Sequence, residues 1–441
     1  MKKTLLASLI GLAFSSGAWA ATDLLNAYRD AIAYDAQFAS ARASADAGRE
    51  KLPQGRAGLL PSINATANTT WNKTETTRRT TPPGYSNLNY NSHGWTATLT
   101  QPIFRWQNWM QYQQGELGAA QAEVQFNQAK QDLIVRVAQA YFDVLLAQET
   151  LASAQALKAA NAEQLEAAKR NFEVGTATIT DSHEAQARFD LATAQALAAE
   201  SDLEVKRQAL STVTGKAPEA LKTIKAGVKI ARPQPDDIAK WIESAEQGGL
   251  VVQLGQLGLE VADREVSKQR SGHLPTLDLV ATTGKNSATQ SSTVGSGYDS
   301  NSSTVGLQLT IPIFAGGATM SKDREAVALR EKALADLDNA RRQSALAARQ
   351  AYLGVSSGLS QVQAYEAAVI SSQSALDSNK LGYEVGVRIN IDVLNAQSQL
   401  YDTRQKLMKA RLDTLAAQLK LKAAAGNLGE DDVVAINALL E

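Results

Sequence analysis

The chain of 441 residues has no cysteine, only three histidines and few aromatic side chains. Without cysteine it can form neither a disulfide nor a thiolate metal site, and it has no thiol nucleophile. His93, His183 and His273 are far apart in the sequence, so we predict no metal and no cofactor. The 44 Lys and Arg balance 45 Asp and Glu to a formal net charge of −1. A protein that binds nucleic acid through a basic surface is therefore not expected.

The motifs of common enzymes are also missing. The sequence has no glycine-rich phosphate loop, no G-x-S-x-G motif and no His, Asp and Glu cluster at metal-ligand spacing. Ala315-Gly316-Gly317 lies where a strand meets a helix and is too short a signal for a nucleotide site. The sequence therefore predicts a protein without catalytic activity.

The first twenty residues have the pattern of a secretory signal. Lys2 and Lys3 precede an apolar stretch from Leu5 to Phe14, and Ala18-Trp19-Ala20 provides the small residues of a cleavage site. We expect a signal peptide, residues 1–20; the alternative is a buried N-terminal helix. No later run approaches the 18 apolar residues of a membrane-spanning helix. We therefore expect the mature chain in the periplasm, in the outer membrane or outside the cell.

The second half of the chain repeats landmarks of the first. Three motifs recur 210 or 211 positions later: Leu99–Phe104 as Leu309–Phe314, Gln139-Ala140-Tyr141 as Gln350-Ala351-Tyr352, and Glu173-Val174-Gly175 as Glu384-Val385-Gly386. Helices of similar composition would not explain why glycine and proline residues also recur at this constant spacing of 210 or 211 positions. We predict an internal duplication, with structural repeats at 21–230 and 231–441.

Long stretches without glycine or proline predict long helices. Residues 119–174, 176–214 and 387–425 consist largely of good helix formers. Each repeat is expected to hold a short helix, at about 22–51 or 237–270, and then a hairpin and a long helix. A glycine turn at 174–176 or 385–387 would follow, with a shorter antiparallel helix to 215 or 425. Thr180-Asp181 and Asn390-Ile391-Asp392 offer N-caps for those shorter helices.

Four polar segments alternate with period two and predict strands of about ten residues. They form hairpins at about 61–104 and 275–313, with long polar loops at 72–94 and 284–303. Trp71, Trp95, Trp106 and Trp109 flank these strands, as aromatic residues do at the interfaces of membrane barrels. A membrane barrel must close, and four strands are too few, so we expect several chains to share one barrel. The alternative is two amphipathic hairpins in a soluble helical protein.

Five segments carry a family resemblance: Gln101–Phe104, Ile311–Gly317, Phe172–Asp181, Tyr383–Ala396 and Gly426–Glu430. Together they resemble the TolC family of outer-membrane channel-tunnels over essentially the whole mature chain. The resemblance implies a mostly α fold with a membrane β-barrel portion. In such a homotrimer, four strands per chain form a twelve-stranded barrel, and long antiparallel coiled-coil-like helices form a tunnel through the periplasm. A mixed equatorial band is expected at about 216–236 and 426–441.

The resemblance also implies a function. Members are passive exit ducts in the outer membrane, gated at their periplasmic end. They dock to a periplasmic adaptor and, through it, to an inner-membrane ABC exporter or proton-driven efflux pump. The cargo is an unfolded protein or a small toxic compound, and the sequence leaves this choice open. The alternative is a periplasmic adaptor with a helical hairpin, which would have neither the twofold repeat nor the membrane strands.

Residue by residue, the resemblance assigns a gate, a constriction and two docking turns. Arg388 resembles the gate arginine, Thr180 and Asp181 resemble its acceptors, and Tyr383 resembles a tyrosine linked to the same aspartate. Asp392 resembles an acidic residue that rings the constriction. The second acidic position of the family is Asn395 in this chain, so we expect weaker block by multivalent cations. The expected adaptor-docking turns are Val174-Gly175-Thr176 and Val385-Gly386-Val387. Without the resemblance, the polar residues read as ordinary N-caps and surface charges.

Overall fold

The computed structural model describes residues 22–79, 81–82, 84–217, 220–225, 227–291 and 296–441, so the predicted signal peptide lies outside the described residues. The element order is α1 (Leu24–Tyr34), α2 (Ala36–Arg49), α3 (Lys51–Ala57), β1 (Ser62–Arg78), β2 (Gly84–Phe104), α4 (Trp106–Glu173), α5 (Ile179–Thr214), α6 (Ile238–Gly248), α7 (Leu250–Arg270), β3 (Thr276–Ala288), β4 (Tyr298–Thr310), α8 (Ala318–Glu384), α9 (Asn390–Ala424) and α10 (Glu430–Asn437). Among the described helices, none is both long enough and apolar enough to cross a membrane.

Two very long helices set the length of the molecule. Helix α4 has 68 residues and α8 has 67. At 1.5 Å per residue each extends about 100 Å. Helix α5 packs against α4, and α9 packs against both α8 and α4. Helices in proteins gain most of their stability from tertiary packing, so this lengthwise pairing stabilises the long helices.

The short helix that we predicted in each half is broken into pieces. Residues 24–57 form three helices, and residues 238–270 form two. The first break lies at Asp35, whose backbone is extended and whose Oδ1 accepts a hydrogen bond of 2.6 Å from the Phe38 N–H. A further break separates α2 from α3 at Glu50. In the second half the break lies at Gly249, also outside helical geometry. The side-chain cap at Asp35 and the non-helical backbone at Gly249 thus end helices that the composition alone would have continued. Helices α1, α2 and α3 still pack along α4, and α1 also contacts α5.

The four strands form one antiparallel sheet in the order β1-β2-β3-β4. With 17, 21, 13 and 13 residues they exceed the predicted ten. The predicted loops at 72–94 and 284–303 were wrong: the pairing of β1 with β2 continues to Arg78 opposite Gly84, and that of β3 with β4 to Ala288 opposite Tyr298. Threonine and tyrosine in these polar segments suit a pleated sheet as well as apolar residues do.

Proline limits the other end of the sheet. The second hairpin ends at Thr310, not at about 313, and residues 311–315 lie outside regular structure. Pro312 has no N–H to donate to a ladder. In β2, Pro102 is tolerated at an irregularity in the register between Pro102 and Phe104.

One row of the sheet is apolar and uncovered within the chain. Val305, Leu307 and Leu309 of β4 are 77%, 65% and 60% exposed. Strands β1 and β4 are also the two edges of the sheet. Long apolar edge strands are normally paired or covered in proteins, so this sheet requires further partners.

The main core lies midway along the long helices. Two isolated bridges, Thr22 with Leu221 and Ile224 with Leu440, bring the N-terminal, middle and C-terminal segments together. The Tyr141 hydroxyl of α4 lies 3.1 Å from the Thr22 carbonyl and 2.8 Å from the Lys222 carbonyl. Burial raises the pKa of Tyr141, so it remains a neutral hydrogen-bond donor. The two segments predicted as an equatorial band thus pack around the same helix.

A buried ion pair fixes the junction between α1 and α2. Arg136 of α4 makes two hydrogen bonds to the carboxylate of Asp35, at 3.0 and 2.9 Å. Asp35 is 5% exposed. The hydrogen bond from Arg136 is the largest cause of the lowered pKa of Asp35, and the Phe38 N–H adds to it. One carboxylate therefore caps α2 and attaches the short helices to α4.

We expect Asp35→Asn to lower the free energy of unfolding by about 3 kcal/mol, because it leaves Arg136 without its anion. Asparagine is still a good N-cap, so Asp35→Ala should cost about 1 kcal/mol more. Because the folded pKa of Asp35 is depressed, the ion pair stabilises the protein above the unfolded pKa of about 3.9. This stabilisation disappears as the pH falls through the folded pKa. Unfolding midpoints of native and Asp35→Asn protein should therefore differ at pH 7 and converge in acid; a constant difference would contradict this assignment.

Candidate functional site

Both long helices end in the same glycine turn, far from the sheet. Gly175 and Gly386 have φ values of +76° and +79°, in the left-handed region that glycine adopts without strain. At the first turn, the Thr176 N–H donates to the Asn171 carbonyl at 2.8 Å and the Gly175 N–H to the Phe172 carbonyl at 3.0 Å. These two bonds form a Schellman motif, and equivalent bonds close the second turn.

The turns present apolar side chains to their surroundings. Val174, Val385 and Val387 are 73%, 65% and 77% exposed. A methyl group added to Gly175 or Gly386 would meet no atom within 4 Å. The turns are therefore fixed by their own backbone, and their side chains are free for contact with another molecule.

Helix α5 begins with a capping box, and its N-cap lies two positions before the first predicted cap, Thr180. Its N-cap is Thr178, and the Asp181 N–H donates to Thr178 Oγ1 at 3.3 Å. In return, the Asp181 carboxylate accepts hydrogen bonds from the Thr178 N–H at 2.9 Å and hydroxyl at 2.8 Å. Thr180 lies inside the first turn, not at the cap. The Asp181 side chain thus helps to cap the helix to which it belongs.

Helix α9 begins without such a cap. Its N-cap is Ile389, which has no suitable side chain, and the predicted cap Asn390 is the first helical residue. The Asn390 side chain is buried and accepts a short hydrogen bond from Gln164 of α4. A contact from another helix thus supports the start of α9.

The predicted gate residues have other partners within one chain. Arg388 lies 3.6 Å from Asp392, one turn further along the chain, and its side chain is 59% exposed. The Tyr383 hydroxyl accepts a hydrogen bond of 3.0 Å from Asn171. Within the described ranges of a single chain, neither Arg388 nor Tyr383 bonds to Asp181. The predicted links to Asp181 and Thr180 are therefore not made inside one chain, and they stay a prediction for contacts between chains.

The position that departs from the family pattern has a definite partner. Arg188 Nη2 of α5 donates to Asn395 Oδ1 of α9 at 3.0 Å. Asp392 lies one turn before Asn395 on the same helix, and among the described residues its ion-pair partner is Arg388. Asn395 is therefore an acceptor that holds α9 to the other helix pair.

Three side-chain hydrogen bonds thus connect the α4–α5 pair to the α8–α9 pair near the turns: Asn171 to Tyr383, Gln164 to Asn390, and Arg188 to Asn395. We call these bonds the hairpin bridge. Sequence reasoning missed Asn171, Gln164 and Arg188. They belong to no motif, and polar residues are common on these helices, so only the packing identifies them.

Taken together, the chain has an open four-stranded sheet with an apolar row, joined to two pairs of long antiparallel helices that end in glycine turns. This is the architecture of a channel subunit that adds strands to a barrel and helices to a tunnel. Nothing in the described part of the chain groups His, Asp or Glu side chains as metal ligands.

Comparison with known proteins agrees with this architecture. The family model described as outer membrane efflux protein matches residues 27–216 and 241–427. The chain is 35% identical to the outer membrane protein TolC of Vibrio cholerae, covering 97% of this chain and 95% of the relative. It is 32% identical to the proteases secretion protein PrtF of Dickeya chrysanthemi, covering 99% and 95%. The Campylobacter jejuni CmeC outer membrane channel has the same fold, with a TM-score of 0.80 at 17% identity over 94% of this chain and 89% of that one. The chain belongs to the outer membrane efflux protein family.

We expect Arg188→Ala to loosen the start of α9, because it removes the charge-assisted bond of the hairpin bridge. A loss of about 1 kcal/mol corresponds to roughly fivefold faster exchange of backbone amides at residues 390–400. Hydrogen–deuterium exchange read by mass spectrometry would measure this, with residues 407–424 as the internal reference. Glu204→Gln, on the same helix but outside the bridge, should change nothing. Unaltered exchange at 390–400 would show that Arg188 does not hold α9.

Proposed function

We propose that three copies of this chain form a passive exit duct in the outer membrane. The open sheet carries this proposal: four strands with two free edges and an exposed apolar row need partners, and three chains would supply twelve strands. Twelve lies within the range of known membrane barrels, whereas four does not. The apolar row would then face lipid, and the long helices would form a tunnel in the periplasm.

The duct would join a periplasmic adaptor and an inner-membrane ABC exporter or proton-driven efflux pump. A chain without catalytic motifs must obtain energy from such a partner. The relatives support both kinds of system, since they include a protease secretion protein and an outer membrane efflux protein. The proposed cargo is accordingly an unfolded protein or a small toxic compound.

We place the gate at the turns, with Arg388 linking neighbouring chains. Its pairing with Asp392 within the chain is long and exposed, and exposed pairs contribute only about 0–1 kcal/mol. Arg388 can therefore exchange this partner at little cost for Asp181 and Thr180 of an adjacent copy. The Asp181 carboxylate still has acceptor capacity beyond its capping box, because a carboxylate has about four lone-pair sites. Threefold symmetry would repeat the link, so that several weak bonds keep the end closed.

Asp392 would form a single acidic ring at the constriction. A ring of three carboxylates attracts cations, and Asn395 adds no second charge. Because Arg188 holds Asn395, the arginine also brings positive charge close to the ring. Both features favour weak binding of multivalent cations.

The test is single-channel conductance of the purified protein in planar bilayers, native beside Arg388→Ser. We expect small, stable openings in the native channel and larger ones in the variant, because the link between chains is lost. Arg404→Ser is a matched control: Arg404 lies on α9, which begins two residues after Arg388, contacts Gln373 and is about four turns from the gate. Equal conductance in native and Arg388→Ser channels would place the gate elsewhere. A folded protein that never inserts would instead favour the adaptor alternative.

The exposed valines of the two turns are the proposed adaptor contacts. Gly386→Pro would test the turn, but it also removes the Gly386 N–H that donates to Tyr383. A change of side chain alone is therefore more informative. We expect Val387→Asp to abolish binding of the purified adaptor and to reduce export at least tenfold, because it buries a charge in an apolar contact. Val387→Thr, similar in shape, should bind nearly normally. If Val387→Asp left adaptor binding intact while conductance was also unchanged, the turns would have no docking role.

A further inference from the structure

The strand register divides the sheet into two faces of different chemistry. Residues directly opposite each other in antiparallel strands share a face, and successive residues along a strand alternate between the faces. One row across the four strands consists of Ile63, Leu99, Ala281 and Val305, so these residues share the face of the apolar row. We call this side the lipid face and the opposite side the lumen face, since the proposed duct turns them toward lipid and toward its interior.

Small neutral polar side chains dominate the lumen face. One row of this face consists of Asn64, Thr98, Thr282 and Thr304. The hydroxyls of Thr282 and Thr304 lie 2.6 Å apart and share a hydrogen bond. Side chains of this kind bind water well and carry no charge, so they line an aqueous passage without favouring ions of either sign.

The charged residues of the strands lie mostly on the lipid face. Four of them are an even number of positions along their strands from residues of the apolar face: Lys73, Glu75, Lys285 and Asp299. They form two ion pairs there, at 3.4 and 3.6 Å. Among the Asp, Glu, Lys and Arg residues of the strands whose side chains the structure describes, Asp278 alone belongs to the lumen face.

Asp278 has a partner from outside the strands. It lies opposite Gln308 of β4 and Pro102 of β2, at the end of the sheet next to the helices. Arg105, which connects β2 to α4, donates from Nε to Asp278 Oδ1 at 2.7 Å and from Nη2 to Oδ2 at 2.5 Å. The Asp278 side chain is 7% exposed and that of Arg105 is 40% exposed. The guanidinium therefore covers the carboxylate and cancels its charge.

This compensation acts at the place where the barrel would meet the tunnel. Three chains would put three Asp278 carboxylates in one ring there. A ring of like charges between walls of low dielectric constant concentrates its field in the passage and sorts ions and charged cargo by sign. A bidentate pair of arginine and carboxylate is charge-assisted and directional, so each carboxylate is neutralised by its own chain.

We propose, on the basis of the exit duct proposed above, that Arg105 keeps the barrel lumen neutral by compensating Asp278. The barrel then does not sort cargo by charge, and selection by charge is left to the periplasmic end, where Asp392 lies. Such a lumen suits a duct through which cargo of either sign must pass.

Single cysteines can report the charge at this position, because the chain has no cysteine of its own. Gln308→Cys puts a thiol on the lumen face directly opposite Asp278. In purified full-length protein in detergent, mass spectrometry would follow its modification by a cationic methanethiosulfonate (trimethylammonium) and by an anionic one (sulfonate). We expect the ratio of the cationic to the anionic rate to be close to that of a free thiol.

The charge of either partner is then removed in the Gln308→Cys background. Arg105→Gln keeps hydrogen-bond donors for the carboxylate and should raise the ratio about threefold, the effect of one unit charge about 6 Å away in salt solution. Asp278→Asn leaves the arginine uncompensated and should lower the ratio by a similar factor. Both changes together should restore the native ratio. A purely structural role of the pair would alter stability, but it would not move the ratio in opposite directions.

Two further reporters are controls. Ser302→Cys is on the lumen face six residues from Gln308, which is about 20 Å along the strand and roughly twice the Debye length in 0.1 M salt. Its ratio should therefore not respond to Arg105→Gln. Leu307→Cys is on the lipid face, which detergent covers, so both reagents should modify it at least tenfold more slowly than Gln308→Cys.

The outcomes separate this role from the proposed duct. Equal ratios with and without Arg105→Gln would overturn the role of Arg105. If Arg105→Gln does not fold, Asp278→Asn still decides, since an unchanged ratio there would have the same meaning. A reactive Leu307→Cys beside an unreactive Gln308→Cys would reverse the two faces of the sheet and overturn the proposed duct together with the role of Arg105.

Discussion

Backbone N–H and C=O groups along the outer edges of β1 and β4 have no strand beside them in a single chain. Lipid offers such groups no hydrogen bonds, so a sheet in a membrane must close on itself. Four strands cannot do this, and the remaining pairing must come from other chains. The apolar row on β4 also needs a partner outside the chain, because its side chains are not covered within the chain. Closure of the sheet therefore determines where the long helices begin and how they are arranged around an axis.

The two halves of the chain use equivalent residues for similar purposes, but not in identical ways. Tyr141 reaches backbone carbonyls of the middle segment, whereas its counterpart Tyr352 donates to Asp236 at 2.8 Å. Both tyrosines fasten a long helix to the connecting segment at mid-length. The asymmetry grows toward the turns: α5 has a capping box, whereas α9 relies on Gln164 from another helix. The second helix pair is therefore the one whose end depends on its neighbours.

Local patterns predicted the parts of the structure that local physics decides. Gly175 and Gly386 mark the turns because a left-handed residue is needed there, and the long glycine-free runs became helices. The lengths of the strands were underestimated because Thr, Asn and Tyr are typical of both loops and exposed strands. What distinguishes the two is strand pairing, which depends on contacts between residues that are distant in the sequence. The break at Asp35 depends on a single side-chain cap, and the break at Gly249 depends on the non-helical backbone of one residue. The hairpin bridge could not be predicted, because Arg188 and Asn395 are more than 200 positions apart and neither has a periodic signature.

The hairpin bridge is weak enough to be reversible. Each of its three bonds contributes about 0.5–1.5 kcal/mol, and the bond from Arg188 lies at the upper end because one partner is charged. In a trimer the contributions would sum to roughly 5–14 kcal/mol, which would favour the arrangement in which the two helix pairs are joined near the turns. A protein that contacted the exposed valines of the turns could supply free energy of this size through an ordinary apolar interface. Moving a two-state equilibrium from 1:99 to 99:1 requires only about 5.5 kcal/mol of preference. The turns and the bridge are adjacent along the same helices, so a contact at the turns can be coupled to the bridge without a change in the membrane sheet.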